Sequence, residues 1–482
     1  MRNSNEKQPP TPATSRRRFL KAALAAGGTA MLPGRASAEG AGDAELARLQ
    51  GARRILLKGG IVLTLDRQIG DFAQADVLIE DGKIREVRPN VAADAATVIE
   101  AANRILIPGF IDTHSHSYQG LLRTSLPNGL VDPDYNRDVQ NNLTLHYSPA
   151  DVYAGVLMTA LGFIDMGTTA IIDLSQISHT PEHSDAAVRA LQESGIRAVY
   201  GYSRGAGAAA QWPQDIGRLQ RTYFSSKDQL LTLALGASLD AKVVAAAREA
   251  GVPAVMHFRV NPEPGLALGR AGVLREGDLF IHCTHLNDAA WQMITGIGGR
   301  ISMSPPLEMA MAHGMPAIQD ALDRGIRPSL SSDHGTTVGQ DMFSLMRTTF
   351  NLQRLRILQR KRSGEANLPP LLTCRQVLEF ATREGARCAN IDGKAGTLAP
   401  GKDADIVMLK ADRFDVWPLS NAPSVVANHM NPGHVETVFI AGKVKKWRGT
   451  LVGVDAARVL RLAQEAREAV MRRGNFQIDL VG

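Results

Sequence analysis

The sequence predicts an α/β protein in which a (β/α)8 TIM-like barrel is joined to a small composite β-sandwich domain built from both ends of the chain. Three observations support this prediction. Short apolar β-like stretches alternate with helical patterns through the middle of the chain, β-rich segments flank that region, and polar residues close several stretches. The 482 residues are 44% hydrophobic and 21% charged, an ordinary globular composition with room for one large and one small domain.

The β-rich segments lie on both sides of the middle region. Before it, Asp81-Gly82 offers a tight turn between two stretches rich in Ile, Leu and Val, and after it Ala441-Gly442 marks a second hairpin. We expect these segments to pack into one sheet domain. A closing helix follows, which Asp455 caps and Gly474 ends. The predicted divisions are a composite β domain at 52–107 and 395–452, a barrel at 108–394, and a C-terminal helix and tail at 453–482.

The middle region contains eight short apolar stretches with the length of buried strands. Helical patterns separate several of them, and the clearest helix start is Ser148-Pro149-Ala150-Asp151, where Ser148 can cap and Pro149 suits the first helical position. Parallel strands that alternate with helices predict the (β/α)8 barrel. The eight stretches lie at 108–116, 170–173, 198–200, 230–235, 254–257, 279–282, 301–303 and 328–333.

Four of these stretches contain or end in residues that suit metal binding, namely His114, His116, His257, His282 and Asp333. Residues i and i+2 of a strand project to the same side, so His114 and His116 can face one ion. In a barrel the carboxyl ends of the strands form the active site. Three imidazoles and one carboxylate suit Zn²⁺, with Fe²⁺ as the alternative. A bound water would become a hydroxide nucleophile, and a nearby carboxylate can take its proton.

These residues stand in motifs that resemble the amidohydrolase superfamily, specifically its cytosine/guanine deaminase and atrazine chlorohydrolase-like branch. The segment 109–116 is similar to the first-strand motif, and 256–257, 281–285 and 331–333 resemble strands five, six and eight. The resemblance covers nearly all of 52–452. It implies metal ligation by His114, His116, His257 and Asp333, contact of His282 with the hydroxide or the substrate, and a general-base role for Asp333.

The resemblance also bears on the number of metal ions and on the reaction. Binuclear members carry a carboxylated lysine at the end of strand four, whereas 230–237 contains no lysine, so one ion is favoured. The implied activity is metal-dependent hydrolysis of a carbon–nitrogen bond other than a peptide bond. An aminohydrolase or deaminase that attacks a nitrogen heterocycle or an amidine is the predicted form.

The chain departs from the deaminase pattern at Val260. In that branch a glutamate stands three residues after the strand-five histidine and passes a proton to the ring nitrogen, which valine cannot do. We expect Glu308 or His334 to substitute, with His313 as a further candidate, since losing such an acid lowers the rate by roughly 10²–10⁴. Two alternatives stay open: a related hydrolase of a C–Cl, amide or carbamate bond, and a periplasmic binding protein on a decayed enzyme scaffold.

The loop at 123–146 follows the first metal strand and is rich in Asn, Asp and Pro. Long loops at this face of a barrel commonly set substrate choice. We expect Tyr118, Gln119 and His146 to line the pocket, the alternative being an exposed loop without ligand contact. The pair at His179 and His183 is predicted to lie on a polar loop, because Pro181 interrupts the helical spacing.

The N-terminal segment 1–38 is predicted to be a twin-arginine signal peptide. Ser15-Arg16-Arg17-Arg18-Phe19-Leu20-Lys21 matches the twin-arginine export pattern, the apolar stretch at 22–32 is too short to span a bilayer comfortably, and Ala36-Ser37-Ala38 is a small-x-small cleavage signature. The pattern implies a bacterial protein that folds in the cytoplasm and is exported to the periplasm.

The signal segment also accounts for the positive net charge of the chain. Residues 1–38 hold seven basic residues and one acidic residue, which together equal the whole formal charge of +6. The remainder is formally neutral and gives no electrostatic reason to expect nucleic acid or an anionic membrane as a partner. We therefore expect a small-molecule substrate, no nucleic acid and no stable membrane anchoring after signal cleavage; a homo-oligomer stays open.

Overall fold

The structure is a computed structural model that describes residues 44–92, 94–207, 209–226 and 228–481. The chain divides into two compact units, which meet at Gly51 and Ala52. The described part of the first unit is a helix over 44–51. The predicted signal peptide at 1–38 lies outside the described residues.

Seventeen strands occur in the described part of the second unit, and they form two sheets. Their bounds are β1 Arg54–Val62, β2 Phe72–Glu80, β3 Lys83–Arg88, β4 Thr97–Glu100, β5 Arg104–Pro108, β6 Phe110–Ser115, β7 Thr168–Ser178, β8 Arg197–Arg204, β9 Leu231–Gly236, β10 Ala254–Phe258, β11 Leu279–His282, β12 Arg300–Met303, β13 Ser329–Leu330, β14 Ile406–Lys410, β15 Val435–Ile440, β16 Lys443–Trp447 and β17 Thr450–Leu451.

The first sheet has nine strands and combines both ends of the unit. Its order is β17-β16-β15-β14-β5-β1-β2-β3, with β4 paired to β1. The two ends meet where β14 runs antiparallel to β5, with Val407 opposite Ile107. The predicted turn between β2 and β3 is present, and Asp81 and Gly82 have φ of 48° and 81°, the positive values that tight hairpin turns require.

The second sheet is the predicted barrel. Strands β6 to β13 follow one another in chain order and pair in parallel. The two outer strands meet through a single parallel bridge between Ser115 and Asp333, which brings the sheet close to full closure. Each of the eight predicted stretches contributes one strand, and the predicted α/β barrel with a separate β domain is confirmed.

Helices lie between the barrel strands and after the last of them. The predicted helix start is present: the Ser148 side chain accepts a hydrogen bond from the Asp151 N–H, and Asp151 accepts one from the Ser148 N–H. Helices cover Pro149–Asp165, Pro181–Ser194, Ile216–Tyr223, Ala241–Glu249, Glu263–Arg270, Asp288–Gly296, Pro305–Ala310, Ile318–Leu322, Met342–Arg362, Cys374–Phe380, Arg383–Cys388, Ala422–Ser424 and Ala456–Arg473. None of the described helices combines the length and the apolar character needed to cross a membrane.

Hydroxyl groups tie together the strands on either side of the barrel closure. The Thr113 hydroxyl of β6 lies 2.7 Å from both the Ser302 hydroxyl of β12 and the Ser329 hydroxyl of β13. Ser331 continues the network at 2.8 Å from Ser302 and from Ser304. All five groups are buried, and each finds a hydrogen-bond partner, as buried polar groups must to avoid a desolvation penalty. The network holds the strand ends that carry the site described next.

Candidate metal centre and its cavity

The five predicted metal-site residues converge at the carboxyl ends of four barrel strands. His114 belongs to β6 and His116 follows it, and their Nε2 atoms lie 3.2 Å and 3.5 Å from Asp333 Oδ1. The Nε2 atom of His282, at the end of β11, lies 3.5 Å from Asp333 Oδ2. The His257 ring of β10 lies 4.8 Å from the His114 ring and stacks on His116 at 5.8 Å.

The donor atoms of these residues are close enough to share an ion. The ligand atoms of His114, His116 and His257 lie within 4.8 Å of one another, and so do those of His114, His282 and Asp333. The structure therefore brings together all five residues that the sequence singled out. His257 and Asp333 lie 143 and 219 positions after His114 in the chain, and they meet it because parallel strands end at one rim of the barrel.

The protonation states of these groups suit metal binding. Burial lowers the pKa of His114 to about 4 and also lowers the pKa values of His116 and His257, so all three imidazoles are neutral near pH 7. Burial opposes the ionisation of Asp333, but His114 and His334 outweigh it and hold the pKa of this carboxyl well below its usual value. Neutral imidazoles and an ionised carboxylate are the forms that bind a divalent ion.

The hydrogen bonding of the imidazoles shows that a metal ion fits the site. His114 is fully buried, yet neither of its ring nitrogens has a hydrogen-bond partner. Leaving buried polar groups unpaired costs about 1–3 kcal/mol each, a cost that a metal ion would offset. The Nδ1 of His116 lies 2.8 Å from the Leu174 carbonyl, so Nδ1 carries the proton and Nε2 keeps its lone pair. The donor set fits a divalent metal ion.

Glu308 contacts His282 from behind the metal-site residues. This carboxylate is fully buried on the short helix that follows β12. Its Oε1 atom lies 3.0 Å from His282 Nδ1 and also accepts a hydrogen bond of 2.8 Å from the Ser304 N–H, whereas Oε2 has no partner. Glu308 is not on the wall of the cavity. It fixes the His282 tautomer that donates from Nδ1 and turns Nε2 towards Asp333.

His313 and His334 are the other two proton-transfer candidates, and both line the cavity. The His313 ring meets the His282 ring edge-on at 4.8 Å, and its Nδ1 is buried without a partner. His334 stacks on Tyr135 at 4.5 Å, and its Nδ1 lies 2.9 Å from the Thr336 hydroxyl. Burial lowers the pKa of His313 to about 3 and that of His334 to about 4. Both imidazoles are therefore neutral at pH 7.

The position of the missing deaminase glutamate lies away from the centre. Val260 is 59% exposed and does not line the cavity, and its φ of 65° is unusual for a branched side chain. Its N–H donates to the Thr284 carbonyl at 3.1 Å. Glu263, three residues after Val260, begins an exposed helix and pairs with Arg270. Neither residue reaches the metal-site histidines.

A cavity of about 720 Å³ opens above the metal-site residues. The loop after β6 lines one side of it, as predicted, but through Tyr135, Asn136 and Gln140 rather than the three residues chosen from the sequence. The structure does not place Tyr118, Gln119 or His146 on the cavity wall. Tyr118 and Gln119 are fully buried, Tyr135 of the segment Val131–Gln140 takes the wall position in contact with Gln119, and His146 lies off the wall.

The buried Gln119 supports the wall from behind. Its amide donates to the Tyr135 hydroxyl at 2.8 Å and to the Tyr118 hydroxyl at 3.0 Å.

The pair His179 and His183 also has a structural role. His179 bridges the Thr144 carbonyl and the Ala206 N–H, at 2.9 Å and 2.8 Å. His183 lies on a helix rather than on the predicted loop, because Pro181 begins that helix instead of interrupting one.

Sequence reasoning missed several residues of the wall, among them Tyr135, Arg204, Trp212 and Arg259. Tyr135 is an aromatic residue inside a polar loop, and Arg259 follows the metal-site strand β10 by one residue. The sequence therefore contained a signal for each of these two residues. Arg204 and Trp212 carry no pattern that separates them from ordinary surface residues, because only the fold brings them to the rim.

Comparison with known proteins agrees with this geometry. The model of the amidohydrolase family matches residues 105–445. The chain is 28% identical to a 5′-deoxyadenosine deaminase of Methanosarcina mazei over 87% of this chain and 99% of the relative. It is 24% identical to a 5-methylthioadenosine/S-adenosylhomocysteine deaminase of Caldicellulosiruptor saccharolyticus over 84% and 96% of the two chains.

Two solved structures share the fold. A zinc-bound adenosine deaminase from Xanthomonas campestris superimposes with a TM-score of 0.76 at 20% identity, over 87% of this chain and 98% of the other. A zinc complex of atrazine chlorohydrolase from Arthrobacter aurescens also gives a TM-score of 0.76, at 19% identity, over 86% and 100% of the chains.

The chain belongs to the amidohydrolase family. It is a metal-dependent hydrolase that acts on carbon–nitrogen bonds other than peptide bonds, and this part of the sequence prediction is confirmed. The family match and the buried His/Asp cluster together support a divalent metal ion at the described site.

Replacing one of the converging imidazoles tests the metal site directly. We expect His114→Ala to reduce the bound metal from about one ion per chain to less than about a tenth of that, because a site with one ligand fewer loses most of its affinity. Elemental analysis of the purified protein measures this content. The matched control is His146→Ala, which removes an imidazole outside the cavity. Equal metal content in both variants would contradict the assignment.

Proposed function

We propose that this protein is a mononuclear zinc aminohydrolase that removes the amino group from a nitrogen heterocycle, with an aminopurine nucleoside as the best-supported class. His114, His116, His257 and Asp333 would hold the ion. The observation that carries the proposal is the convergence of these residues with His282 at the base of one cavity. The named activities of the relatives from Methanosarcina mazei and Caldicellulosiruptor saccharolyticus support the purine class.

The first chemical step depends on Asp333. When bound, a divalent ion supplies a Lewis acid and lowers the pKa of a water molecule towards neutrality. Asp333 is ionised and surrounded by His114, His116 and His282, so it can accept the proton that the attacking water releases. The neutral, buried imidazoles cannot compete for that proton, because burial has lowered the pKa values of His114 and His116.

His282 and Glu308 then offer a route for the proton that Val260 cannot provide. Asp333 Oδ2 lies 3.5 Å from His282 Nε2, and Glu308 holds the opposite ring nitrogen at 3.0 Å. A carboxylate in that position stabilises the imidazolium that forms when His282 takes the proton. His282 can pass it on to the ring nitrogen or to the departing amine. In this proposal His282 is the catalytic residue and Glu308 positions it.

The cavity suits a planar ring with a substituent. Its volume of about 720 Å³ lies within the roughly 300–1,000 Å³ typical of small-molecule sites. Tyr135 and His334 form a stacked pair on its wall, and Trp212 supplies a third aromatic surface. Aromatic side chains bind flat heterocycles through their faces, which supports a ring substrate.

A related hydrolysis is the second candidate. Asp333 is the one carboxylate on the described wall of the cavity, and Val260 lies outside it. A substrate whose leaving group needs no ring protonation would suit this wall, which favours a C–Cl, amide or carbamate bond as the alternative. The zinc-bound atrazine chlorohydrolase shares the fold and is consistent with that alternative.

A heterocycle panel separates the two candidates. We expect ammonia release from aminopurine nucleosides by the zinc-loaded protein, measured with a coupled ammonia assay, and no chloride release from chlorotriazines. The matched control is the His114→Ala variant, which should release no ammonia. Chloride release from chlorotriazines, or release of an amine from amide or carbamate substrates, without ammonia release from the aminopurine nucleosides would replace the proposed function by its alternative.

The role of Glu308 is tested with Glu308→Gln, which keeps the size of the side chain and removes its charge. We expect kcat to fall by about 10²-fold, the lower range for losing a proton-transfer partner, while bound zinc remains at the wild-type level. A His146→Ala control should turn over normally. Unchanged kcat in Glu308→Gln would eliminate this relay.

We also propose export to the periplasm through the twin-arginine pathway, which the motif at 15–21 and the cleavage signature at 36–38 support. Replacing Arg16 and Arg17 by lysine together should leave the precursor in the cytoplasm, because the pathway recognises the arginine pair. Fractionation of a bacterial host with an antibody against the C-terminal tail measures the distribution. Recovery of the double variant from the periplasm would argue against export by this pathway.

A further inference from the structure

We propose that the substrate carries an oxyanion, a carboxylate or a phosphate, and that Arg259 and Arg204 bind it at the rim of the cavity. This inference rests on the proposed function, since it concerns the same cavity, and it adds the chemical class of the substrate. It follows from the placement of the two guanidinium groups, from their lack of protein partners, and from the charge balance of the wall.

The two arginines flank a gap in the rim. Arg204 ends β8 and Arg259 follows β10, while β9 lies between these strands. Neighbouring strands are about 4.8 Å apart, and Arg259 lies about three residues further along its strand than Arg204, so the two backbone positions are about 14 Å apart across β9. The β9 strand ends in Gly236, and Ala237 and Ser238 follow it. Small residues at this point leave the space between the two arginines open.

The glycine at the end of β9 makes room for a neighbouring side chain. Gly236 lies opposite Ser203 on β8 and Val255 on β10. A Cβ atom at this position would overlap the Ser203 hydroxyl and crowd Leu174, so Ser203 occupies the place of a larger residue on β9. The wall between the arginines therefore consists of small side chains, and a substituent of the bound ring can extend along it towards the guanidinium groups.

Neither arginine is neutralised by the protein. Among the described residues, no hydrogen bond or ion pair to another side chain or to a backbone carbonyl involves the side chain of Arg204 or Arg259. Two arginines nearby behave differently: Arg197 at the start of β8 and Arg218 on the next helix each bind a carboxylate at 2.7 Å. The guanidinium groups at the rim thus keep their donors available for a ligand.

The charge balance of the wall favours an anion. Asp333 is the one carboxylate among the described lining residues, and it belongs to the metal site. A divalent ion and two guanidinium groups exceed its single negative charge. Arg259 is half-buried on the cavity wall, so its charge is only partly screened by solvent.

The geometry of guanidinium groups identifies the ligand chemistry. An arginine side chain presents a planar set of N–H donors that matches two oxygens of a carboxylate or a phosphate. Such charge-assisted bonds are about twice as strong as neutral ones, and they strengthen where water is partly excluded. With the reacting ring carbon at the metal centre, the oxyanion would extend towards the ends of β8 and β10.

The test uses matched ligand pairs that lack an amino group and so are not turned over by a deaminase. The pairs are uracil with orotate, which adds a carboxylate, and inosine with inosine 5′-monophosphate, which adds a phosphate. Binding to the zinc-loaded protein is measured by isothermal titration calorimetry. We expect the acidic member of at least one pair to bind about tenfold or more tightly than its neutral partner.

Variants locate the preference at the rim. Arg259→Gln should remove most of the advantage of the acidic member, Arg204→Gln should remove part of it, and Arg259→Lys should retain part because the charge remains. The matched control is Arg221→Gln, which removes an arginine from the helix Ile216–Tyr223 outside the cavity. This control should bind all four ligands as the unaltered protein does.

The outcomes separate this inference from the proposed function. A preference for orotate alone identifies a carboxylate, and a preference for the nucleotide alone identifies a phosphate; each supports the inference. Equal or undetectable binding of both members of both pairs overturns it, as does a preference that Arg259→Gln leaves intact. Ammonia release without an acidic preference upholds the proposed function alone, whereas an acidic preference without ammonia release upholds the oxyanion site alone.

Discussion

The pairing of Asp333 with the first barrel strand is the interaction on which the site depends. The Asp333 N–H donates to the His114 carbonyl and the His116 N–H donates to the Asp333 carbonyl, both at 2.9 Å. These two backbone bonds join the ends of the barrel sheet and place the Asp333 carboxylate among the imidazoles. Barrel closure and metal-site assembly are therefore one event, and a shift in strand register would disrupt both.

Burial gives the site its chemical character. The same low-dielectric environment keeps the imidazoles neutral, so that their lone pairs are free for an ion, while His114 and His334 hold the pKa of the Asp333 carboxyl well below its usual value. Backbone strain accompanies this arrangement. His282 and Asp333 adopt φ of 69° and 60°, values uncommon outside glycine, and such strain of roughly 1–3 kcal/mol per residue is characteristic of functional sites.

Much of the fold and the ligand set was predictable because local patterns encode them. Apolar runs of strand length indicate buried strands, and the spacing of His114 and His116 indicates that both side chains lie on the same face of a strand. Glu308 was one of several proton-transfer candidates in the sequence. Its contact with His282 was not predictable, because the two residues are 26 positions apart and lie on different elements. The wall formed by Tyr135 escaped prediction, since the inward path of a long polar loop has no periodic signal.

The sequence by itself determined the barrel, the β domain drawn from both ends, and the identity of the residues that meet at the metal site. These features follow from alternation, strand length and motif spacing, which are local properties of the chain. Only the tertiary structure decided which side chains form the cavity wall, that Val260 lies outside it, and that Glu308 contacts His282. Those outcomes depend on how loops and strand ends approach one another in space, which no local pattern specifies.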